Sequence, residues 1–393
     1  MKPAARVQSA IELLDEIIVA TRDKGSSADR VAAAFFAARR YAGSKDRRAI
    51  RDLAWRAIRV FGERPENGRA AMVALAGSDP DLAALFDGSA YGPKAIDPSE
   101  PNASGDIVPE WVKPLFSELV TADEYPALLE RAPLDIRVNR LVASPEQVQA
   151  QLPEAQQMEG CTDGLRLPTG FSIEAKPVYQ SGAVEVQDFG SQLIAELCEA
   201  KLGMTVLDLC AGAGGKTLAL ASHMAGEGRL IAADTSRDRL AQLSPRAVRA
   251  KAEFIETRLL NPGKELATLD ELSGECDIVL IDAPCSGSGT WRRNPETRWR
   301  LEQRDLQRLV TEQARLLDIA AQLVKPGGYL VYAVCSLFAC EGKTQIDGFM
   351  SRTPGFEPDD LRGTVGRRDG AGILLTPAHD GSDGFYMARL HKL

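Results

Sequence analysis

The sequence predicts an α/β protein on a doubly wound parallel sheet, preceded by a small α+β module and an N-terminal helical domain. Three observations point there. From residue 187 onward, short apolar runs alternate with stretches of helical periodicity, as in βα units whose strands are covered on both faces. A glycine-rich turn, Cys210-Ala211-Gly212-Ala213-Gly214-Gly215-Lys216-Thr217, directly follows one of those runs. Residues 5–85 are rich in alanine and lack the period-two alternation of strands.

Taken in order, Val7, Ile11, Leu14 and Ile18 recur at helical spacing, and Leu53, Ile58 and Val60 continue an apolar pattern after the Gly43-Ser44-Lys45-Asp46 turn. Residues 1–86 are therefore expected to form a small helical domain. Prolines 93, 98, 101 and 109, among Gly, Ser, Asp and Asn, mark a linker, and Trp111–Leu119 a short helix, so that 87–124 connect two folded parts. Leu134–Asn139 alternates like a strand, and Ser144-Pro145 opens a helix with Ser as cap and Pro at its first position. Residues 125–182 are expected to be a compact α+β module. In 183–393 the expected strands are Thr205–Leu209, Leu230–Ala233 ending in Asp234, Asp277–Ile281 ending in Asp282, and Tyr329–Ala333. The expected helices are Ser191–Lys201, Thr217–Met224 and Leu306–Val324, and Ile373–Leu375 with Phe385–Leu390 reads as a closing antiparallel hairpin.

A length of 393 residues suits about two or three domains. The apolar share of 44% and charged share of 26% are those of a globular chain with ample core. No run approaches a membrane span, and Glu12, Asp15 and Glu16 interrupt the first apolar stretch, so neither a signal peptide nor a membrane anchor is expected and the location is read as cytoplasmic. Seven cysteines with no CxxC pair argue against a disulfide framework and a zinc knuckle, and three histidines leave little for a metal site, so no metal is expected. The net charge of −8 weighs mildly against nucleic acid, but Arg292, Arg293 and Arg298 belong to a local basic run that overrides the mean. Taken alone, such a run is equally a solvated helix face.

The glycine turn fails the dinucleotide fingerprint, because the last glycine is missing. It also fails the P-loop, whose first glycine falls on Cys210. It suits S-adenosylmethionine, with Asp234 at the next strand end to accept from the ribose hydroxyls. A tight structural turn and a helix cap are the plain alternatives for these two features. Cys285 and Cys335 each follow a strand, in Asp282-Ala283-Pro284-Cys285-Ser286 and Val334-Cys335-Ser336. A thiolate there could add to carbon 6 of a pyrimidine and make carbon 5 nucleophilic, with Asp282 steadying the ring. A lone strand cysteine is more often an inert buried residue.

The segments Gln187–Gln192, Asp208–Thr217, Asp282–Gly289 with Arg292-Arg293-Asn294-Pro295, and Cys335-Ser336-Leu337 resemble the Nop/Sun family of RNA (cytosine-5) methyltransferases over about residues 125–393. Gly43–Arg59 is similar to the NusB-like domain of its bacterial RsmB-type members. The resemblance implies a class I, Rossmann-like methyltransferase domain acting on carbon 5 of a cytosine in RNA, small-subunit rRNA above all. It implies Cys335 as nucleophile, Cys285 as the residue that helps release product, and Asp282 as the contact to the cytosine. Cys210, Ala211, Gly212, Ala213, Gly214, Gly215 and Lys216, with Asp234, Glu256 and Asp282, would hold S-adenosylmethionine. Arg292, Arg293 and Arg298 would face RNA, the small module would resemble an RNA-recognition fold, and the chain is expected to act as a monomer. The family pattern C-A-A-P-G-G-K is altered at Gly212 and Ala213, Val334 replaces the Thr before the nucleophile, and P-x-E-N-E becomes Ala339-Cys340-Glu341-Gly342-Lys343. Those departures motivate a second reading, a catalytically impaired rRNA-binding module for ribosome assembly; methylation of tRNA is a further alternative.

Overall fold

The computed structural model describes residues 1–393 apart from Lys24, Arg362 and Thr364. The chain divides into two compact units: one of Met1–Phe116, Tyr125–Leu129 and Thr290–Glu302, the other of Ser117–Glu124, Glu130–Gly289 and Gln303–Leu393.

The first unit is helical, with Pro3–Arg22, Ala28–Ala38, Ser44–Val60 and Gly68–Ala76 as its main helices. Val7, Ile11, Leu14 and Ile18 are all buried, as their spacing predicts. They pack with Phe35, Ile50, Ile58 and Met72 in one core, and Trp299 enters that core from the distant segment Thr290–Glu302. Much of the basic charge on this unit is already paired: Arg39 with Glu12 and Glu16, Arg51 with Asp29, Arg56 with Asp79.

The second unit begins with a four-stranded antiparallel sheet, β1 (Leu134–Val138), β2 (Gln156–Gln157), β3 (Gly164–Leu167) and β4 (Val184–Val186), in spatial order β2-β3-β1-β4. Ser144 caps the helix Pro145–Gln151 through a full capping box with Gln147.

A nine-stranded sheet follows: β5 (Thr205–Asp208), β6 (Arg229–Asp234), β7 (Glu256–Leu259), β8 (Cys276–Asp282), β9 (Val324–Val334), β10 (Phe356–Pro358), β11 (Arg367–Asp369), β12 (Gly372–Leu375) and β13 (Phe385–Lys392). Its order is β11-β12-β13-β9-β8-β5-β6-β7, with β10 on β13. Strands β5 to β9 run parallel, and β13 lies antiparallel between β9 and β12. The expected hairpin of 373–375 with 385–390 is therefore present, and β7 is a strand that the sequence pattern did not reveal. Val206, Leu207, Val279, Leu280, Val331 and Tyr332 are almost wholly buried, as strands covered on both faces must be. From β5 the order runs to β6 and β7 on one side and to β8 and β9 on the other. The switch point lies between β5 and β8, and a crevice opens there beyond the carboxyl ends of the strands.

Candidate active site

Each element of the crevice comes from a strand end. Beyond β5 the chain makes the glycine turn and enters the helix Gly215–His223, with Gly214 at φ +83° as its cap. A Cβ on Gly214 would meet Leu243 Cδ1 at 2.2 Å, so only glycine allows both the left-handed turn and the close approach. Gly212 and Gly215 face open space, with nothing within 4 Å of where a Cβ would stand. Asp234 ends β6 and is buried at 2% exposure. Its Oδ2 accepts from Gly212 N at 2.8 Å, and its Oδ1 accepts from Ser236 N at 2.7 Å and Arg239 at 3.1 Å.

Cys285 follows β8 and Cys335 follows β9, and parallel pairing of these strands sets the two turns side by side. Their sulfurs are 3.3 Å apart. The main chain ties the turns as well: Gly289 N donates to Cys335 O at 3.1 Å, and Gly384 N donates to Gly289 O at 2.8 Å. A Cβ on Gly289 would lie 1.9 Å from Gly384 O, so the approach requires glycine. Asp282, at the end of β8, pairs with Lys216 Nζ at 2.7 Å.

These groups share a cleft of about 570 Å³. Of the residues expected from sequence, Cys210, Ala211, Gly212, Ala213, Gly215, Lys216, Asp234, Asp282, Cys285 and Cys335 line it. Gly214 turns the loop from behind. Ser191, Arg239, Leu260, Glu265, Pro284 and Leu316 also line it; sequence reasoning missed them because they join the cleft only through the sheet order. Ser191 and Pro284 alone had a local signal, since they lie in the Gln187–Gln192 and Asp282–Gly289 segments.

Two expectations are corrected. Glu256 is outside the cleft: it opens β7 opposite Ile231, whereas the crevice lies at the other end, where Leu259 pairs with Asp234. Three residues of strand put it about 10 Å back, where it pairs with Arg229 and Arg258. Arg298 does not face solvent. It is 2% exposed and donates to the carbonyls of Pro295, Ile58, Arg59 and Phe61 at 2.5–3.0 Å, satisfying the carboxyl end of the helix Ser44–Val60. Arg292 is buried too, and Arg293 is half-buried.

Electrostatics follow from burial. Burial opposes the charge on Lys216, but the Asp282 carboxylate overrides it and holds that lysine above its ordinary value. The Cys285 thiol is pushed well above its ordinary 9.0, first by its hydrogen bond to Cys335 and then by burial. Beneath the loop, burial raises the Asp208 carboxyl from 3.8 to about 7, although Thr217 Oγ1 donates to it at 2.7 Å.

The cleft fits S-adenosylmethionine. Open space beside Gly212 and Gly215 leaves room for a ligand against the backbone. The buried Asp234 carboxylate keeps acceptor capacity on Oδ2. Asp282 and Glu265 also line the cleft but are each paired with a cation, Lys216 and Arg315, so the fit rests on the backbone space and the Asp234 acceptor.

Residues 196–391 match the family described as 16S rRNA methyltransferase RsmB/F. Ribosomal RNA small subunit methyltransferase B of Enterobacter sp. (strain 638) is 34% identical over 295 residues, which are 72% of this chain and 66% of that one. The chain belongs to the RsmB/F methyltransferase family. A probable ribosomal RNA small subunit methyltransferase B of Synechocystis sp. is 33% identical over 302 residues, again 72% and 66% of the two chains. The chain thus spans just under two thirds of the length of these curated relatives. Among solved structures, PH0851 superposes over 100% of both chains with a TM-score of 0.79 at 22% identity. A methyltransferase homolog protein from Pyrococcus horikoshii gives 0.60 at 27% identity over 69% of this chain and 90% of that one. The fold is that of a class I, Rossmann-like methyltransferase.

Within this RsmB/F chain, two of the departures from the family pattern have a local reason or a limited reach. Gly342 faces Tyr386, whose ring would stand 2.8 Å from a Cβ there, so an asparagine would not fit. Val334 is buried in β9 opposite Tyr386, while the next residue, Cys335, still lines the cleft.

Proposed function

We propose that this chain methylates carbon 5 of a cytosine in small-subunit rRNA, with S-adenosylmethionine as methyl donor and a covalent adduct between Cys335 and carbon 6. The observation that carries the reading is the pair of strand-end sulfurs, 3.3 Å apart, inside the same cleft as the glycine turn, Asp234 and Asp282. An rRNA substrate goes with a cytoplasmic location, and no described helix is long and apolar enough to cross a membrane.

The donor supplies an electrophilic methyl group on a cationic sulfur, beside the glycine turn. Cys335 adds to carbon 6 as thiolate, which makes carbon 5 nucleophilic. Asp282, held by Lys216, steadies the proton at the ring nitrogen. While Cys335 is anionic, the Cys285 thiol donates to it and keeps its own proton. Once Cys335 is bonded to carbon, that anion is gone, and with it the largest cause that holds the proton on Cys285. Cys285 then gives up its proton to water and, as thiolate, serves as base. It takes the carbon 5 proton, the C–H electron pair restores the ring double bond, and the carbon 6–sulfur bond breaks to return Cys335 as thiolate. The base must leave its stack to reach the cleft.

The test uses unmethylated 16S rRNA transcript. Cys285→Ala is expected to accumulate an RNA–protein adduct that survives denaturing gel electrophoresis, and Cys335→Ala to form none and transfer no methyl group. Full turnover by both variants sinks the reading. Bisulfite sequencing of rRNA from cells with and without the gene names the cytosine.

A further inference from the structure

Glu341 is wholly buried, and no described lysine or arginine pairs with it. Its Oε1 accepts from Ser286 N and from Gln313 Nε2, both at 2.9 Å. Its Oε2 accepts from Ser286 Oγ and Ser336 Oγ, both at 2.5 Å. Ser286 is the residue after Cys285, and Ser336 is the residue after Cys335. Gln313 also donates to the carbonyl of Pro284, the residue before Cys285, at 3.0 Å. Three of the four bonds to this carboxylate therefore come from the turns that carry the two sulfurs, and the fourth from Gln313, which is itself bonded to the Cys285 turn. A second strap runs beside it: Ser336 and Ser288 hydroxyls lie 3.0 Å apart, and Ser288 Oγ accepts from Leu337 N at 2.9 Å. The main chain at Glu341 is held as well, since Tyr332 OH donates to its backbone carbonyl at 2.7 Å.

An unpaired buried charge is costly unless several donors converge on it. A neutral acceptor would satisfy fewer of these donors, and charge-assisted bonds are shorter and stiffer than neutral ones. The arrangement trades stability for a fixed spacing of two turns, in addition to the strand pairing, the Ser288 strap and the Gly289–Cys335 bond that also join them.

We propose that Glu341 is a positioning residue that locks the Cys285 turn onto the Cys335 turn and so sets the sulfur–sulfur distance on which product release depends. Its part in catalysis rests on the methyltransferase reading above; its part in geometry does not. Glu341→Gln keeps the volume but replaces an acceptor oxygen with an NH₂ group, which cannot receive the serine donors.

Two readouts separate the claims. The first needs no RNA. Diamide oxidises two neighbouring thiols to a disulfide, taking up their two hydrogens as the hydrazine, and peptide mass spectrometry reports the Cys285–Cys335 bond. Wild type is expected to form it rapidly, and Glu341→Gln at least ~10-fold more slowly, because displacing one turn by about an ångström is enough to misalign a bond-forming pair. The second readout is turnover on 16S rRNA transcript. There Glu341→Gln is expected to lose roughly 100-fold in kcat, with KM for the donor unchanged, and to accumulate the covalent adduct as Cys285→Ala does. A merely structural role would lower donor affinity and adduct formation together. If Glu341→Gln does not fold, Ser286→Ala and Ser336→Ala each remove one strap and are expected to slow the crosslink. Crosslinking at the wild-type rate in every folded variant overturns the proposal. If wild type crosslinks and the variants are slowed, yet no rRNA is methylated, the methyltransferase reading fails and the positioning role stands.

Discussion

Asp208 ends β5 under the glycine turn, with 1% of its surface exposed. One carboxyl oxygen accepts from Thr217, and the other has no partner among the described residues. Burial, with the Asp282 and Asp234 carboxylates adding to it, raises the group from 3.8 to about 7. The sign follows directly. Below pH 3.8 the group is protonated in both the folded and unfolded chains. Between 3.8 and about 7 the unfolded chain ionises while the fold keeps its proton, so the fold loses stability as pH rises. Above about 7 both forms are ionised and the loss is complete. At about 1.4 kcal/mol for each pH unit, the whole rise is worth roughly 4 kcal/mol. Asp208→Asn preserves an acceptor for Thr217 and has no proton to gain or lose. Guanidinium denaturation of both proteins from about pH 4 to about pH 8 gives the difference in unfolding free energy, with equal slopes as the check on comparability. The variant's advantage over wild type is expected to grow by roughly 4 kcal/mol across that range. A difference constant to within about 1 kcal/mol would show that the fold does not hold the proton, and the burial argument fails.

Three further outcomes follow from the geometry. Burial, with Arg137 and Arg140 nearby, lowers His223 from 6.5 to about 4; its stabilising share is whole above pH 6.5 and is lost as pH falls through about 4, so His223→Gln should resist acid by roughly 3 kcal/mol in the same denaturation series. Arg298→Met removes the donors to four carbonyls and is expected to destabilise the protein by about 3 kcal/mol. Its RNA affinity and salt slope, read by filter binding, should not change, whereas loss of a phosphate contact lowers that slope by about one. Gly214→Ala forces a side chain into φ +83° against Leu243 and is expected to cost about 1–3 kcal/mol and weaken donor binding, seen by calorimetry, with Leu243→Ala restoring part of both.

Most of the residues that line the crevice could be named from the sequence because they follow strand ends, and such ends are local. A buried apolar run followed by glycines, or ending in Asp, announces a strand end within a few residues. Those signals located Cys210–Lys216, Asp234, Asp282, Cys285 and Cys335 and implied the parallel sheet. What local pattern does not contain is which strand ends become neighbours. Cys285 and Cys335 are separated by 50 residues and meet because β8 pairs with β9. Glu256 resembled a cofactor ligand in sequence, yet register places it at the amino end of β7, away from the crevice. Arg298 resembled a phosphate contact, yet its segment leaves the sheet and buries it against the carboxyl end of a helix 240 residues earlier. The joining of both cysteine turns on Glu341 likewise exists only once the strands are in place. A residue's chemical type belongs to the sequence, but its environment is set by partners far along the chain, because only tertiary packing decides which polar groups lose water and what replaces it.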